Sequence, residues 1–175
     1  MVTKSKSQQV VNINLPPLHE GKSYYCDFHK QQHEAGGQLA VANNPARFKV
    51  CMCGRRHGKT ILGVWLCIRT ALEGGRTWWV APSYKIANEG WAELKKLARQ
   101  INDATNDDFV EIRESDRQII VKSNNGMVEV RSSDVEGSLR GAGLDGLVID
   151  EAASHRETVW TEELRPALID KRGAC

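Results

Sequence analysis

The sequence predicts an α/β fold, a three-layer sandwich built on a mainly parallel sheet with an antiparallel strand extension. Two observations support this prediction. Strand-like and helix-like segments alternate along most of the chain, which is the pattern that produces a parallel sheet between layers of helices. In addition, residues 146–149 are apolar at successive positions, as is typical of a strand buried on both faces.

The first third of the chain is predicted to contain an arm, a helix and a strand. Residues 1–22 are polar and then proline-containing, so we expect a flexible arm with at most one short strand, at 11–15. The folded domain is expected to run over 23–175. Helical spacing predicts a helix at 25–35, and the apolar run at 48–53 predicts a strand.

The middle of the chain continues the alternation of helices and strands. In chain order, we expect a helix at 61–72, a strand at 78–81, a helix at 86–101, and strands at 109–113, 118–122 and 127–131. Asn124-Asn125-Gly126 favours a hairpin between the last two of these strands. Because Trp78, Trp79 and Trp91 each fall within an apolar pattern, we expect them in the core or an interface rather than in a base-stacking platform.

A possible phosphate-binding loop follows the predicted strand at 48–53. The segment reads Cys53-Gly54-Arg55-Arg56-His57-Gly58-Lys59-Thr60 and ends in the Gly-Lys-Thr of a P-loop. In such a loop the backbone N–H groups and the first turn of the next helix point at the phosphates. Lys59 would reach the β- and γ-phosphates, and the Thr60 hydroxyl would ligate Mg²⁺. The segment departs from the pattern at its first position, where Cys53 replaces glycine.

An acidic pair follows the apolar run at 146–149. At the carboxyl end of a buried strand beside a P-loop, Asp150 can hold hydrated Mg²⁺. Glu151, pointing the other way, can orient the attacking water and accept its proton. The alternative is that the two acids only cap the helix that follows. Two motifs in this order predict nucleotide hydrolysis by a P-loop NTPase, with the nucleotide at the carboxyl ends of the strands.

Composition and charge narrow the class of protein. The chain has 175 residues, of which 41% are hydrophobic and 26% charged, as in ordinary globular domains. Its net charge of +2 is too small to indicate nucleic-acid binding by itself. No apolar stretch reaches transmembrane length and the polar start lacks a secretory signal, so we expect an intracellular protein without a membrane partner. Five cysteines, an odd number, do not indicate a disulfide framework.

In these motifs the sequence resembles the N-terminal ATPase domain of the large subunit of viral DNA-packaging terminases, of the tailed-bacteriophage type. The segments that carry the likeness, in the expected order, are 54–60, Trp79-Val80-Ala81-Pro82-Ser83-Tyr84, Ser138-Leu139-Arg140-Gly141, Val148-Ile149-Asp150-Glu151-Ala152-Ala153, Leu164-Arg165-Pro166-Ala167-Leu168 and Asp170-Lys171-Arg172-Gly173. Upstream, Phe28-His29-Lys30-Gln31-Gln32 resembles the family's adenine-recognising segment, with Gln32 the better-placed glutamine.

Three arginines are candidates for contact with the nucleotide. Arg55 and Arg56 lie in a loop that already has Lys59, and a guanidinium group suits transition-state charge on a phosphate, within the subunit or across to a neighbour. The alternative is that one of them pairs with a local carboxylate. Arg140, in its Ser-Leu-Arg-Gly turn, is either a nucleotide sensor or part of a structural turn.

The resemblance implies an Mg²⁺-dependent ATPase that drives double-stranded DNA into a viral procapsid in the host cell cytoplasm. It also implies a terminase small subunit and a portal protein as partners, and a homo-oligomeric ring when the motor is assembled. Large subunits of this family join an ATPase to a nuclease. Here we expect an ATPase domain that is incomplete at its C-terminal end, without the nuclease.

Two other functions fit the same motifs. A helicase-like DNA-dependent ATPase shares the P-loop, the acidic pair and an upstream glutamine. A catalytically silent nucleotide-binding fragment would explain Cys53 in the place of glycine. Measurement of ATP turnover beside ATP binding separates the silent fragment from the two enzymes.

Overall fold

The architecture is taken from a computed structural model, which describes residues 2–4, 10–13, 15–26, 31–54 and 56–175. The strands are β1 (Val2–Lys4), β2 (Val10–Asn12), β3 (Gly21–Cys26), β4 (Gln31–Gly36), β5 (Arg76–Ala81), β6 (Val110–Arg113), β7 (Gln118–Val121), β8 (Met127–Ser132) and β9 (Gly146–Ile149). The helices are α1 (Gln38–Asn43), α2 (Lys59–Leu72), α3 (Tyr84–Thr105) and α4 (Arg165–Ala167), with a 3₁₀ turn at Ala152–Ser154 and a π-helical segment at Val159–Leu164.

The central sheet has five strands in the order β6-β7-β8-β5-β9. Strand β5 lies in the middle of its parallel part and pairs with β8 on one side and β9 on the other. Strands β6 and β7 extend the sheet in antiparallel fashion. The predicted α/β class is confirmed, and so is the hairpin at Asn124-Asn125-Gly126, which connects β7 to β8.

Each face of the sheet has its own apolar core. On one face, Trp79 and Ala81 of β5 pack with α2 and α3. On the other face, Trp78 and Val80 pack with residues of the 139–168 segment. This alternation follows from the period of two residues in a strand. The three predicted core tryptophans, Trp78, Trp79 and Trp91, are 2%, 1% and 6% exposed, so that prediction is confirmed.

Two glycines let α2 and α3 approach β5 closely. A Cβ atom on Gly63 of α2 would lie 2.7 Å from the Trp79 ring and 3.0 Å from Val148 of β9. A Cβ atom on Gly90 of α3 would lie 2.4 Å from the same ring. Contacts this short are sterically forbidden, so any larger residue would push a helix off the sheet. Gly63 therefore fixes α2 against both β5 and β9.

The elements predicted between residues 61 and 149 are present. The predicted helix at 61–72 is α2, and the predicted helix at 86–101 is the longer α3. Ser83 explains the earlier start of α3, because its Oγ accepts a hydrogen bond from the Ile86 N–H at 3.5 Å. Helix α3 ends at Thr105, and its C-cap residue Asn106 has a left-handed φ of 49°.

The predicted helix at 25–35 is wrong in the residues that the structure describes. There the backbone forms the antiparallel pair β3–β4, in which Tyr25 lies opposite Gln32. Tyr24 and Tyr25 favour strands, and Gly21 and Gly36, which lie opposite each other in the pair, disfavour a helix. The backbone N–H and C=O groups of these residues form hydrogen bonds across the two strands instead of within a helix. Residues 27–30, between the strands, lie outside the described part.

The predicted arm contains more strand than expected. One short strand at most was predicted, at 11–15, whereas β1 and β2 pair with each other in antiparallel register. Valine and threonine supply most of these two strands, and both residue types favour extended backbone. Just after β2, Ile13 is 3% exposed and belongs to the core under α2 and α3.

The predicted strand at 48–53 is also wrong. The segment belongs to no sheet, and Val50 and Met52 are 88% and 93% exposed. Its backbone touches the rest of the domain through Cys175, which accepts a hydrogen bond from the Lys49 N–H at 2.8 Å. A strand needs a neighbour along its whole length, and residues 50–53 have none among the described residues.

Arg47 anchors the start of that segment. Its Nε donates to the Gly173 carbonyl at 2.8 Å and its Nη2 to the Leu168 carbonyl at 2.7 Å. The Arg47 carbonyl in turn accepts from the Cys175 N–H at 2.9 Å.

Within the described ranges, no helix is both long and apolar enough to cross a membrane.

Candidate functional site

The possible phosphate-binding loop ends at Gly58, the N-cap residue of α2. Gly58 has a left-handed φ of 83°, and a Cβ atom there would lie 2.6 Å from Nε2 of Gln38. Conformation and space therefore both require glycine. The helix starts at Lys59, and its first N–H groups have no partner within the helix. The helix continues for 14 residues, and its N-terminus, with Thr60 in the first turn, has the geometry that can bind an anion.

Lys59 folds back over the loop. Its Nζ donates to the Cys53 carbonyl at 2.9 Å and to the Gly54 carbonyl at 3.4 Å. Cys53, the residue that departs from the P-loop pattern, thus contributes a backbone acceptor that any residue could supply. The departure at this position leaves the lysine contact of the loop intact.

Helix α2 brings this loop to the same edge of the sheet as the acidic pair. The helix turns through Gly74-Gly75 directly into the start of β5, so its N-terminus lies toward the carboxyl end of that strand. The lengths agree, because 14 helical residues span about 21 Å and the six residues of β5 span about 20 Å. Since β9 is parallel to β5, Thr60 and Asp150 are placed at one edge.

Asp150 follows the last residue of β9. Its N–H donates to the Val80 carbonyl at 2.8 Å, which continues the ladder with β5. Burial of the carboxyl group raises the pKa of Asp150, and the neighbouring Glu151 carboxylate raises it further, as does Glu89 of α3 to a smaller extent. The surroundings of Asp150 therefore disfavour its negative charge, which a nearby cation would stabilise.

Glu151 adopts left-handed backbone, with φ of 49° and ψ of 49°. This conformation is uncommon for a residue with a side chain, and such residues concentrate at functional sites. The exposed Glu151 side chain forms no capping hydrogen bond to the following 3₁₀ turn. Among the described residues, the Asp150 carboxylate accepts a hydrogen bond from the adjacent Glu151 N–H, at 3.1 Å. The alternative that the pair serves as a helix cap receives no support from these contacts.

The oxygen ligands at this edge fit Mg²⁺. Thr60 offers a hydroxyl and Asp150 a carboxylate, which are the hard ligands that Mg²⁺ prefers. Within the described residues, no three His, Cys, Asp or Glu side chains are grouped closely enough to hold a metal ion by themselves. A metal held by one or two protein oxygens plus substrate phosphates and waters is the usual arrangement for Mg²⁺ at nucleotides.

Gln38 is a site residue that the sequence reading missed. It is 7% exposed, and its Nε2 donates to the Gly58 carbonyl at 2.8 Å, while its Oε1 accepts from the His19 N–H at 3.3 Å. A cleft beside the loop is lined by Gly37, Gln38, Val41, Cys51, Cys53, His57, Gly58, Lys59 and Leu62. The sequence held a signal for Gln38, because it is the one glutamine between residue 33 and the loop. The predicted Gln32 lies in β4, and its adenine contact stays a prediction.

The remaining predicted loop residues differ in their surroundings. His57 stacks edge-on against the His19 ring, with centroids 5.6 Å apart. Arg56 is exposed and has a left-handed φ of 62°. Arg55 lies outside the described residues. The proposed phosphate contacts of these side chains stay predictions.

Arg140 lies in the loop between β8 and β9 and contacts an acid there. Its Nη2 is 3.1 Å from Oε2 of Glu162, and both side chains are half-exposed. The loop itself is held by Glu163, which is 3% exposed and accepts from the Gly137 N–H at 3.2 Å and the Leu139 N–H at 3.0 Å. The sequence analysis did not predict a role for Glu163. It follows Glu162 directly, and nothing in the local sequence indicates that the second of these two acids is buried.

Comparison with solved structures shows which proteins share this architecture. The large terminase ATPase domain of Thermus phage P74-26 is similar over 78% of this chain and 61% of its own, with 23% identity and a TM-score of 0.68. A mutant of that domain gives 22% identity and the same TM-score. The large terminase of bacteriophage HK97 is similar over 77% of this chain and 28% of its own, with 18% identity and a TM-score of 0.60.

These likenesses establish the fold. The chain has the fold of phage large terminase ATPase domains and spans about three fifths of the length of the P74-26 domain, at 61%. The sequence matches no protein-family model and no curated protein. Activity, substrate and partners must therefore be argued from the site.

Proposed function

We propose that this chain is the ATP-hydrolysing motor domain of a terminase large subunit, which powers translocation of double-stranded DNA into a viral procapsid. One observation carries the proposal. The N-terminus of α2 and the acidic pair after β9 lie at one edge of the sheet, in a chain with the terminase ATPase fold. Nucleotides bind at this edge in open α/β sheets.

Each residue of the site has a role in this proposal. Lys59 leaves the carbonyls that it now contacts and pairs with the β- and γ-phosphates, beside the free N–H groups of α2. Thr60 and Asp150 hold Mg²⁺, which when bound neutralises phosphate charge. Glu151 orients the attacking water and accepts its proton. Gln38 keeps Gly58, and with it the loop, in place.

The arginines have a shared role in the proposal. Arg55 or Arg56 stabilises charge on the transferring phosphate, within the subunit or across to a neighbour in a homo-oligomeric ring. Arg140 reaches the nucleotide after release from Glu162. The proposal includes a small subunit and a portal protein as partners and the host cell cytoplasm as location.

The proposal is tested by comparing ATP binding with ATP turnover, in the presence of Mg²⁺. Lys59→Ala should lower affinity at least about tenfold, because the phosphates lose a charge partner. Glu151→Gln should keep the affinity and lower turnover about 100-fold or more, in the range of a lost general base. The matched controls are Lys96→Ala, on the exposed face of α3, and Glu157→Gln, an exposed acid outside the site.

Two results would contradict the proposal. Unchanged binding and turnover in Lys59→Ala would remove the phosphate-binding assignment. Normal turnover in Glu151→Gln would assign water activation to another residue.

A second candidate, a nucleotide-binding module without turnover, is favoured by one observation. The segment before the loop belongs to no sheet, with Val50 and Met52 exposed, so the loop lacks the strand support that a P-loop normally has. Two results together would favour this candidate. The parent chain would bind ATP in a way that depends on Lys59, and it would show no ATP turnover, alone or with double-stranded DNA.

The position of the arginine contact is tested by mixing two inactive variants. Arg56→Ala removes the guanidinium group, and Lys59→Ala removes the phosphate contact. If the arginine acts across subunits, a mixture regains part of the turnover, because one interface then holds both intact groups. Turnover that is independent of protein concentration and unchanged by Arg55→Ala and Arg56→Ala would instead favour a self-sufficient, helicase-like ATPase.

A further inference from the structure

His155 connects two strand ends through both nitrogens of its ring. Its Nδ1 lies 2.7 Å from Oγ of Ser133, and its Nε2 lies 2.9 Å from the backbone carbonyl of Asp150. Ser133 directly follows β8 and is 7% exposed. The imidazole therefore spans from the end of β8 to the end of β9.

The partners define the tautomer of the neutral ring. A carbonyl oxygen can only accept, so Nε2 of His155 donates to the Asp150 carbonyl. In the neutral ring, Nδ1 then accepts from the Ser133 hydroxyl. The arrangement is not a nucleophilic triad, because the Ser133 hydroxyl is buried and the third group is a backbone carbonyl rather than a carboxylate.

The contact with Asp150 fixes the peptide group that joins the two acids. The carbonyl of this peptide, that of Asp150, accepts from His155, and its N–H, that of Glu151, donates to the Asp150 carboxylate at 3.1 Å. The preceding peptide is held as well, because the Asp150 N–H donates to the Val80 carbonyl at 2.8 Å. The orientation of this peptide plane sets the direction in which the Glu151 side chain leaves the backbone. Glu151 is left-handed, a conformation that persists only where the surroundings hold it.

Further contacts join the same two loops outside the ring. Glu163 accepts from the Gly137 and Leu139 N–H groups, and Arg156 lies 3.5 Å from Glu136. The loop that carries Arg140 and the segment that carries the acidic pair are thus connected at several points. His155 is the point nearest to Asp150 and Glu151.

We propose that His155 is a positioning residue for ATP hydrolysis, holding the Asp150–Glu151 peptide against the end of β8 through its bridge to Ser133. The inference rests on the proposed function, because it assigns a purpose to the geometry of that site. In this role His155 acts through Glu151 and not on the nucleotide itself. Its loss misplaces the Glu151 carboxylate and leaves the phosphate-binding loop unchanged.

The experiment compares kcat and nucleotide affinity in four variants. His155→Ala should lower kcat about 10- to 100-fold, within the range for a disturbed general base, while nucleotide affinity changes less than about twofold. His155→Gln should restore part of kcat, since its amide can donate to the Asp150 carbonyl. Ser133→Ala should cause a smaller loss, and the double variant Ser133→Ala/His155→Ala should be no worse than His155→Ala alone.

A second measurement does not depend on turnover. Amide hydrogen exchange over residues 146–156, without nucleotide, should become faster in His155→Ala and Ser133→Ala and stay unchanged in the control Glu157→Gln. Unchanged exchange in both variants would overturn the inference even if the chain proves inactive. A kcat unaffected by His155→Ala, or a loss that His155→Gln does not reduce, would overturn it in an active chain. Failure of the proposed function is seen separately, as equal turnover in the parent and Glu151→Gln.

Discussion

Glu129 lies on β8 and Asp150 directly after β9, the two strands that flank β5, and their surroundings are opposite. Glu129 of β8 is 4% exposed and is surrounded by donors. Its carboxylate lies 2.7 Å from Arg131 and 3.4 Å from Arg76, and it accepts from Trp78 Nε1 at 2.9 Å. Burial alone would raise the pKa of Glu129, but hydrogen bonds from Gln118 and Trp78 and the Arg131 charge lower it overall.

Asp150 has the reverse balance. Burial and the Glu151 carboxylate raise its pKa. Among the described residues, Glu129 is paired with two arginines, whereas the charges that act most on Asp150 are the carboxylates of Glu151 and Glu89. This difference is consistent with the proposed role of Asp150 as a metal ligand.

The largest expected effect separates the two acids by activity. Asp150→Asn should lower Mg²⁺-supported ATP turnover about 100-fold or more and shift the half-maximal Mg²⁺ concentration upward, because a carboxylate ligand is lost. Glu129→Gln should leave the Mg²⁺ requirement unchanged. Magnesium titrations of turnover check both results. Equal Mg²⁺ curves for Asp150→Asn and the parent would remove Asp150 from the metal site.

The next effect concerns stability, for which Glu129 matters more than Asp150. Glu129→Ala should lower the free energy of unfolding by about 3 kcal/mol, since it leaves Arg76, Arg131 and the Trp78 N–H without their buried acceptor. Denaturant unfolding measures this loss. The control Glu73→Ala removes an exposed acid that pairs with Arg69, and we expect little change there.

The pH dependence of stability should follow the lowered pKa of Glu129. A carboxyl group whose folded pKa lies below its unfolded value adds stability above the unfolded pKa, and this is lost as the pH falls through the folded pKa. The ordinary value is 4.5, so the loss should occur below that pH. Glu129→Gln should show a flatter stability profile in this acid range. Identical slopes for parent and variant would contradict the lowered pKa.

The smallest effect is a gain in stability from removal of a site residue. The raised pKa of Asp150 means that its charge disfavours the folded state once the pH exceeds the unfolded pKa. Asp150→Asn should therefore stabilise the protein at pH 7 without Mg²⁺, by about 0.5 kcal/mol because the half-exposed carboxyl is screened by solvent. Thermal unfolding beside the exposed control Asp170→Asn measures it. A destabilised Asp150→Asn would contradict the balance assigned to this acid.

The sequence predicted those parts of the molecule whose signals are local. The helical stripe from Ile61 onward, the Asn124-Asn125-Gly126 turn and the apolar run before Asp150 each determine their own conformation. The loop from Gly58 to Thr60 is predictable for the same reason, because its glycine and helix start are specified within a few residues.

Contacts between distant segments decided the parts that sequence reasoning missed. Gln38 meets Gly58 only through the placement of α1 beside the loop. Residues 25–35 show helical spacing, yet pairing between β3 and β4 outweighs that weak preference. Glu163 looks like a surface acid until the β8–β9 loop covers it. Tertiary contacts of this kind leave no pattern in the local sequence.

The exposed segment around Val50 and Met52 also bears on self-association of the protein in solution. Apolar side chains of this kind, beside backbone groups that no strand pairs, are a template for edge-to-edge association between molecules. The formal charge of +2 gives little long-range repulsion to oppose such encounters. We therefore expect self-association of this chain to depend on protein concentration and salt, through a surface adjacent to the predicted phosphate-binding loop. Self-association and ligand occupancy of that loop would then be linked.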